Sequence, residues 1–499
     1  MHNAREVRRR VLSDLPARSD GQYVLYWLSA TRRLERNHAL DQALTWSQQL
    51  GKPLVILEAL RSDYRWACPR HHRVLLDAMA EHQAELASSQ VRYYPYVERE
   101  KGGGKGLLAA LAQEAAVVVT DRHPGFHFPA MLEAARTQLT HVRLEAVDSV
   151  GLLPLDAAPG PLPSAYVLRR RMQKNLPEWL EQTAKEQPFS AYAGGRATLD
   201  PKIEARWPEA TADELAPQAR LESKIPLAYD VSISSWKGGT RPAWAMLQRF
   251  VEQQLLRYDD RRMEASPASG LSMALHYGFL CPSTVLDAVL EAEGTNRSQL
   301  IPALHERAAT SRGARAGWWQ LSENAEMFLD QLVTWRELGQ RFADQNPDCE
   351  RYGSQPDWAV DTLEAHRADI REFAYTREQF EQARTHDPLW NAAQRCLVRE
   401  GWMPNYLRML WGKNLLGWSQ DPREAWELLF HLNNLYALDG RDPNSMSGIS
   451  WVFGRFDRPF GPERRVTGKL RPMSSANTKR KMALGGFLER FDEVERLFV

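Results

Sequence analysis

Cysteine is scarce in this 499-residue chain. Its four cysteines, Cys68, Cys281, Cys349 and Cys396, are scattered and form no CxxC pair. That excludes a disulfide scaffold, argues against a structural metal and points to a reducing compartment. Long apolar runs are missing as well, since no stretch reaches the roughly 18 residues that a membrane-crossing helix requires. The opening MHNAREVRRRVLSDL is too charged for the apolar segment of a secretion signal. The expectation is a cytoplasmic monomer with no membrane contact. Charge of one sign is equally thin. Lys and Arg number 64 against 63 Asp and Glu, a formal net charge of +1, so any affinity for nucleic acid must come from local clustering. No internal repeat or low-complexity tract is present.

What is there is ordinary in bulk, with 43% hydrophobic and 25% charged residues. The length exceeds what one core usually serves, so two domains are expected. Tryptophan at 17 residues outnumbers phenylalanine at 16, which implies aromatic surfaces beyond the needs of a core. From Gln22 the pattern runs YVLYWLS, a helix from His38 to Leu50, PLVILEAL, a helix from Leu75 to Leu86, VRYYPYV, a helix after KGGGKG, AAVVVTD, a helix from Pro129 and VRLEAVD. Helices alternating with short apolar runs predict a doubly wound parallel α/β sheet over 1–155, with a ligand site at the strands' carboxyl ends. KGGGKG lacks a following GKS or GKT and reads as a turn rather than a phosphate loop. Over 156–227 the prolines, including Pro188, Pro201, Pro208, Pro217 and Pro226, predict a long interdomain connector. Residues 228–499 turn to amphipathic helices, at about 242–262, 282–293, 298–309, 324–344, 376–385, 390–400, 405–417, 422–435 and 484–497, and predict an all-α second domain.

Chemistry concentrates in 386–444. Trp411 and Trp418 stand seven residues apart, which puts their indoles on one helix face roughly 10 Å apart along the axis. Arg408 lies one turn before Trp411, and the loop Asp439, Gly440, Arg441, Asp442, Pro443, Asn444 follows a helix carrying Asn433 and Asn434. From spacing alone, indoles placed this way are more often packing than an electron relay. Ser272 at a helix start serves as a cap or as an anion contact. Between Arg455 and Lys481 stand nine Lys or Arg against Asp457 and Glu463, a local excess of positive charge beside Trp451; it is either a solvated face or a phosphate-binding rim.

Several of these stretches, in one order and with nearly one spacing, resemble the class II cyclobutane pyrimidine dimer photolyases of the photolyase and cryptochrome family. They are LWNAAQ (389–394), LRMLW with the tryptophans at 411 and 418, LNNLYALDGRDPN (432–444) and GKLRPMS with KRK (468–481). YWLSATRRLERNHAL (26–40) is similar to the family's opening motif, and SAYVLRRRM to its connector helix. The resemblance implies FAD in the helical domain and, in the α/β domain, an antenna chromophore, deazaflavin or folate, or none. It also implies UV-damaged DNA as partner. Tyr258, Leu271 and Ser272 would contact the flavin diphosphate arm. Arg408 and Asp439 would flank the isoalloxazine ring with Gly440 and Asp442 in the same loop, and Asn433 would face flavin N5. Trp390, Trp411 and Trp418 would form an electron relay with Trp418 outermost. Trp335, Met409 and Trp451 would wall the lesion pocket, with Arg262 near the lesion and Arg458 and Arg471 on the DNA side.

Three positions depart from the family, all on the lesion side. Gln331 stands where a glutamate is usual, Met263 where an asparagine is, and Phe460 where a tryptophan is. A glutamine amide donates a hydrogen bond but delivers no proton, and Asp330, about 100° round the helix, would face elsewhere. The implied activity is light-driven splitting of a flipped-out dimer by an excited reduced flavin; the alternative is a cryptochrome-like blue-light receptor with weak or no repair.

Overall fold

The structure, a computed structural model, describes residues 4–157, 159–216, 225 and 227–492. Pro217, Pro226 and the last part of the helix expected over 484–497 lie outside the described residues. Among the described residues six strands form one sheet: β1 (Arg9–Ser13), β2 (Tyr23–Trp27), β3 (Leu54–Leu60), β4 (Arg92–Val97), β5 (Ala115–Arg122) and β6 (Arg143–Asp148). In chain order the first helices are α1 (Ala4–Arg8), α2 (His38–Leu50), α3 (Pro69–Leu86), α4 (Leu107–Glu114), α5 (His127–Gln138), α6 (Ala165–Leu180), α7 (Pro201–Arg206), α8 (Ala212–Leu215), α9 (Thr240–Gln253), α10 (Tyr258–Arg262), α11 (Ser272–His276), α12 (Pro282–Ala292) and α13 (Arg297–Thr310). They continue as α14 (Glu323–Leu329), α15 (Arg336–Gln345), α16 (Asp357–Ala365), α17 (Arg377–Glu381), α18 (Pro388–Glu400), α19 (Asn405–Trp418), α20 (Pro422–Tyr436), α21 (Pro443–Val452), α22 (Ser475–Lys481) and α23 (Gly485–Arg490). Among the described residues no helix is long and apolar enough to cross a membrane.

The chain divides into two compact units. The first comprises 1–159, 171–248 and 271–311, and the second 160–170, 249–270 and 312–499.

In the first unit the sheet order is β1-β6-β5-β2-β3-β4. Every pair is parallel except β1 with β6. Alternation along each strand sends Tyr23, Leu25, Val55, Leu57, Val118 and Leu144 into one core and Val24, Tyr26, Leu54, Ile56, Val117 and Val119 into the other. Both faces of the sheet are therefore covered, as parallel strands require. KGGGKG is a turn: Gly106 precedes α4 with φ +93°, a conformation only glycine adopts without strain. The sequence did not announce β1, because its arginines interrupt the apolar pattern of an edge strand. At the opposite edge, β4 carries Pro95, whose carbonyl accepts from Ala210 N at 2.8 Å. The Tyr94 hydroxyl donates to Trp207 O at 2.5 Å, and Arg92 pairs with Glu204 at 2.8 Å and with Glu209. The proline-rich connector thus holds helices α6, α7 and α8 and lines the sheet rim.

The second unit is helical among its described residues. Three of its helices begin on Asp-Pro. Asp387 accepts from Leu389 N and Trp390 N, Asp421 from Arg423 N and Asp442 from Asn444 N, each followed by proline in the first turn. The carboxylate satisfies an orphan amide, and proline needs none. The helix expected over 324–344 is present but not uniform. α14 runs into a π-helical turn, Asp330–Trp335, and continues as α15. The helix expected over 242–262 breaks after Gln253 and restarts at Tyr258. α15 packs tightly on α21, and a Cβ on Gly339 would stand 2.6 Å from Asn444 Cα.

Candidate functional site

The three tryptophans converge in the second unit. Trp390, on α18, is fully buried and lies between the other two, its ring centroid 6.3 Å from that of Trp411 in a stacked pair and 6.0 Å from that of Trp418 in an edge contact. Trp390 Nε1 donates to Trp411 O at 2.9 Å, and Trp411 Nε1 to Gln394 Oε1 at 2.9 Å. The spacing of 411 and 418 along α19 therefore does not make them neighbours; the residue bridging them comes from the adjacent helix. Trp418 is half-buried and touches Tyr375 and His386, whose rings lie 5.9 and 4.9 Å from it.

Arg408 on α19 reaches across to the loop after α20, where its Nη2 donates to Asp439 Oδ1 at 3.0 Å. The loop is held from below. Asn434 Oδ1 accepts from Arg441 N at 2.8 Å and from Asn433 Nδ2 at 3.0 Å. Arg441 itself adopts φ +61°, a strained backbone state that the surrounding packing must stabilise. Gly440 is required here because a Cβ would fall 2.7 Å from Asn433 O. Asp442 faces its own helix start as the α21 cap. Asn433 Nδ2 also donates to Ser445 Oγ at 2.7 Å, so both amide hydrogens have partners and Oδ1 remains as an acceptor. On neighbouring α15, Gln340 is fully buried, and neither its side-chain nitrogen nor its oxygen has a partner among the described residues.

Gln331 and Trp335 stand at the two ends of the π turn, both half-buried. Asp330, between α14 and Gln331, is buried and gripped by Arg169 of α6, with Nε to Oδ1 at 2.8 Å and Nη2 to Oδ2 at 3.2 Å. It is engaged in that ion pair from within the π turn. Arg262 Nη1 approaches Met327 Sδ at 3.1 Å. Met409 Cε would meet a Cβ at Gly448 at 3.9 Å, so it lies against α21.

Trp451 sits near the end of α21 with two cations over its ring, Lys413 Nζ at 5.0 Å and Arg471 Cζ at 6.0 Å from the centroid. Arg471 also covers Phe460 at 4.2 Å and forks onto Asp457 at 2.7 and 2.9 Å. Burial is the largest single influence and raises the Asp457 carboxyl, but the Arg471 hydrogen bonds, the Arg458 amide and the charges of Arg471 and Lys413 together outweigh it and hold the group below the ordinary range. Arg458 is exposed and lies over Phe460 at 5.5 Å. Of the nine cations in 455–481, Arg455 turns inward to Ser354 O and Phe342. Arg465, Lys469, Lys479, Arg480 and Lys481 are exposed.

Tyr258 is buried against Phe250 and Phe328, with centroids 6.0 and 5.2 Å away, and burial pushes its hydroxyl up to about 12. Leu271 and Ser272 belong to the first unit, Leu271 buried and Ser272 exposed as the first residue of α11. Sequence reasoning did not single out Lys413, Gln340 or Arg169. It noted Asn434 and Asp330 only as neighbours of Asn433 and Gln331, with no role for Asn434 and no partner for Asp330.

Compared with known proteins, the chain is 30% identical over 473 residues to the deoxyribodipyrimidine photo-lyase of Methanothermobacter thermautotrophicus, covering 94% of each chain. It is 29% identical over 497 residues to the enzyme of that name from Oryza sativa subsp. japonica, covering 94% of this chain and 87% of the relative. Among solved structures, a bacterial class III photolyase from Agrobacterium tumefaciens shares the fold with a TM-score of 0.66 at 18% identity, over 96% of this chain and 88% of that one. No family model matches the chain. The chain belongs to the photolyase and cryptochrome family, as a carbon–carbon lyase of the deoxyribodipyrimidine photo-lyase type.

Proposed function

We propose that the chain is a class II photolyase that repairs cyclobutane pyrimidine dimers in DNA with FAD as its resident cofactor. Reduced FAD supplies, under blue or near-UV light, the electron that opens the dimer and receives it again afterwards. The rest falls to the protein. Arg408, oriented by Asp439, offers a fixed positive charge to a ring that carries negative charge. Asn433 presents Oδ1 as a hydrogen-bond acceptor, and Gly440 and Asp442 shape the loop that closes over it. Tyr258 is assigned to the diphosphate arm. Gln340 supports a bound polar group, since leaving a buried amide unpaired costs roughly 1–3 kcal/mol.

The observation that carries the reading is the continuous array Trp411, Trp390, Trp418, which gives oxidisable rings in contact from the interior to a half-buried residue. On the DNA side a dimer has to leave the duplex to be reached, and its weakened pairing lowers the cost. Trp335, Met409 and Trp451 offer flat apolar walls, with Arg262 beside them. Arg458, Arg471 and the exposed cations that follow meet phosphate.

The test is to illuminate the reduced protein with a dimer-containing oligonucleotide and measure recovered thymine. Light-dependent recovery with none in the dark is expected. A coloured protein that responds to light yet returns no thymine would make it a receptor, and a colourless one that cannot be reconstituted would remove the flavin. Gln331→Glu is expected to raise the thymine yield per absorbed photon about fivefold, since a charged or proton-donating partner exceeds a neutral amide by roughly 1 kcal/mol. An unchanged yield would take Gln331 out of the lesion pocket.

A further inference from the structure

Among the described residues, Lys413 is the one buried ammonium, and the reading above leaves it without a task. It lies on α19 between Trp411 and Trp418, 6% exposed, and its Nζ donates to Val452 O at 2.6 Å. Val452 is the last residue of α21. The carbonyls of a helix's final turn lack intrahelical partners and carry the negative end of its dipole, so a lysine there caps the helix. The approach is close because of Gly412: a Cβ there would stand 2.7 Å from Val452 Cγ2. From the same position Nζ lies 5.0 Å from the centre of the Trp451 ring.

We propose that Lys413 is a positioning residue for the lesion pocket. It fixes the C-terminal turn of α21 and the plane of the Trp451 indole from behind, so that the wall is already built when a damaged base pair arrives. This rests on the assignment of Trp451 to that wall.

The arrangement is held against a penalty. Burial is the largest influence on Lys413 and, aided by Arg471, outweighs Asp457 to bring the group down to about 7. Asp457 and Arg471, which face it from the loop after α21, are the charged groups acting on it; Trp451 and Val452 are the neutral contacts from α21 itself. A lysine depressed in the fold is protonated more readily in the unfolded chain. Between about 7 and its ordinary value, stability therefore rises with pH. The charged form is costly to the fold and useful only for what it holds, and a position of that kind points to function rather than to folding.

The test compares the full-length protein with Lys413→Met and Lys413→Arg, binding in the dark a duplex with one thymine dimer and the same duplex undamaged. Lys413→Met is expected to lower the preference for damaged over undamaged duplex about tenfold, the worth of one partly desolvated cation–π contact. It should leave affinity for the undamaged duplex and the melting temperature at or above the wild-type values. Lys413→Arg should restore most of the preference. In the wild type the preference should fall as pH rises through about 7, and in Lys413→Met that fall should be absent. Equal preference in wild type and Lys413→Met overturns the proposal, as does a flat wild-type pH profile, which reads the same point should the variant fail to fold. A lowered melting temperature with proportionate loss of all DNA binding makes Lys413 a structural residue and also overturns it. A wild-type protein with no preference for damaged duplex overturns the lesion-wall reading and this proposal with it.

Discussion

Trp390→Phe is expected to remove nearly all light-driven reduction of a bound oxidised flavin while leaving its colour in place. Trp390 alone touches both other indoles of the array, at 6.3 and 6.0 Å between centroids. A phenyl ring fills most of the space, yet it is far harder to oxidise, so the array is cut at its middle. Trp418→Phe leaves the Trp411–Trp390 pair intact and should slow reduction less. Trp390→Phe also deprives Trp411 O of the Trp390 Nε1 donor, which costs about 1 kcal/mol of stability. Absorbance recorded under continuous light with an external reductant checks the result. A Trp390→Phe protein that reduces as fast as wild type would dismiss the relay.

The second large effect is expected at Arg169. Arg169→Met removes both bonds to Asp330 and leaves a carboxylate, 5% exposed, without its counter-charge. Breaking a buried pair from one side costs about 3–5 kcal/mol. Replacing both partners, Arg169→Met with Asp330→Leu, should recover much of that loss, because neither charge then remains to be solvated. The consequence for the site differs from the consequence for the fold. Asp330 opens the π-helical turn that ends at Trp335, so the double variant should melt near the wild-type temperature yet bind dimer-containing DNA less tightly. Thermal melts of the four proteins, with dark binding measured on the stable ones, separate the two effects. If the double variant recognises damage as well as wild type, the pair serves stability alone.

The α/β sheet was legible because its strands are buried on both faces and read as short apolar runs between helices of ordinary length. β2 through β6 fall on those runs. β1 did not announce itself, since a strand paired on one side needs no apolar run and Arg9 and Arg10 supply charge instead. α21 was hidden for a related reason: Asp442, Pro443 and Asn444 read as a turn, and in the structure Asp442 and Pro443 are the cap and first residue of a helix. The π turn was invisible, because a wider hydrogen-bond step leaves the apolar spacing of a 23-residue helical run almost unchanged. At the site, Trp411 and Trp418 could be placed on one face by counting, but the bridging role of Trp390 depends on how α18 packs on α19, which no local pattern encodes. The pairing of Arg408 with Asp439, 31 residues apart, came from resemblance and not from periodicity.

The outer strand of the sheet has a free side that the chain itself closes. β4 presents Pro95, which has no amide to offer, and the segment from Trp207 to Ala210 occupies its rim through Tyr94, Pro95 and Arg92. An uncovered strand of this kind recruits other strands. The residues that lead onward from the sheet therefore also shield this edge from pairing with a foreign strand.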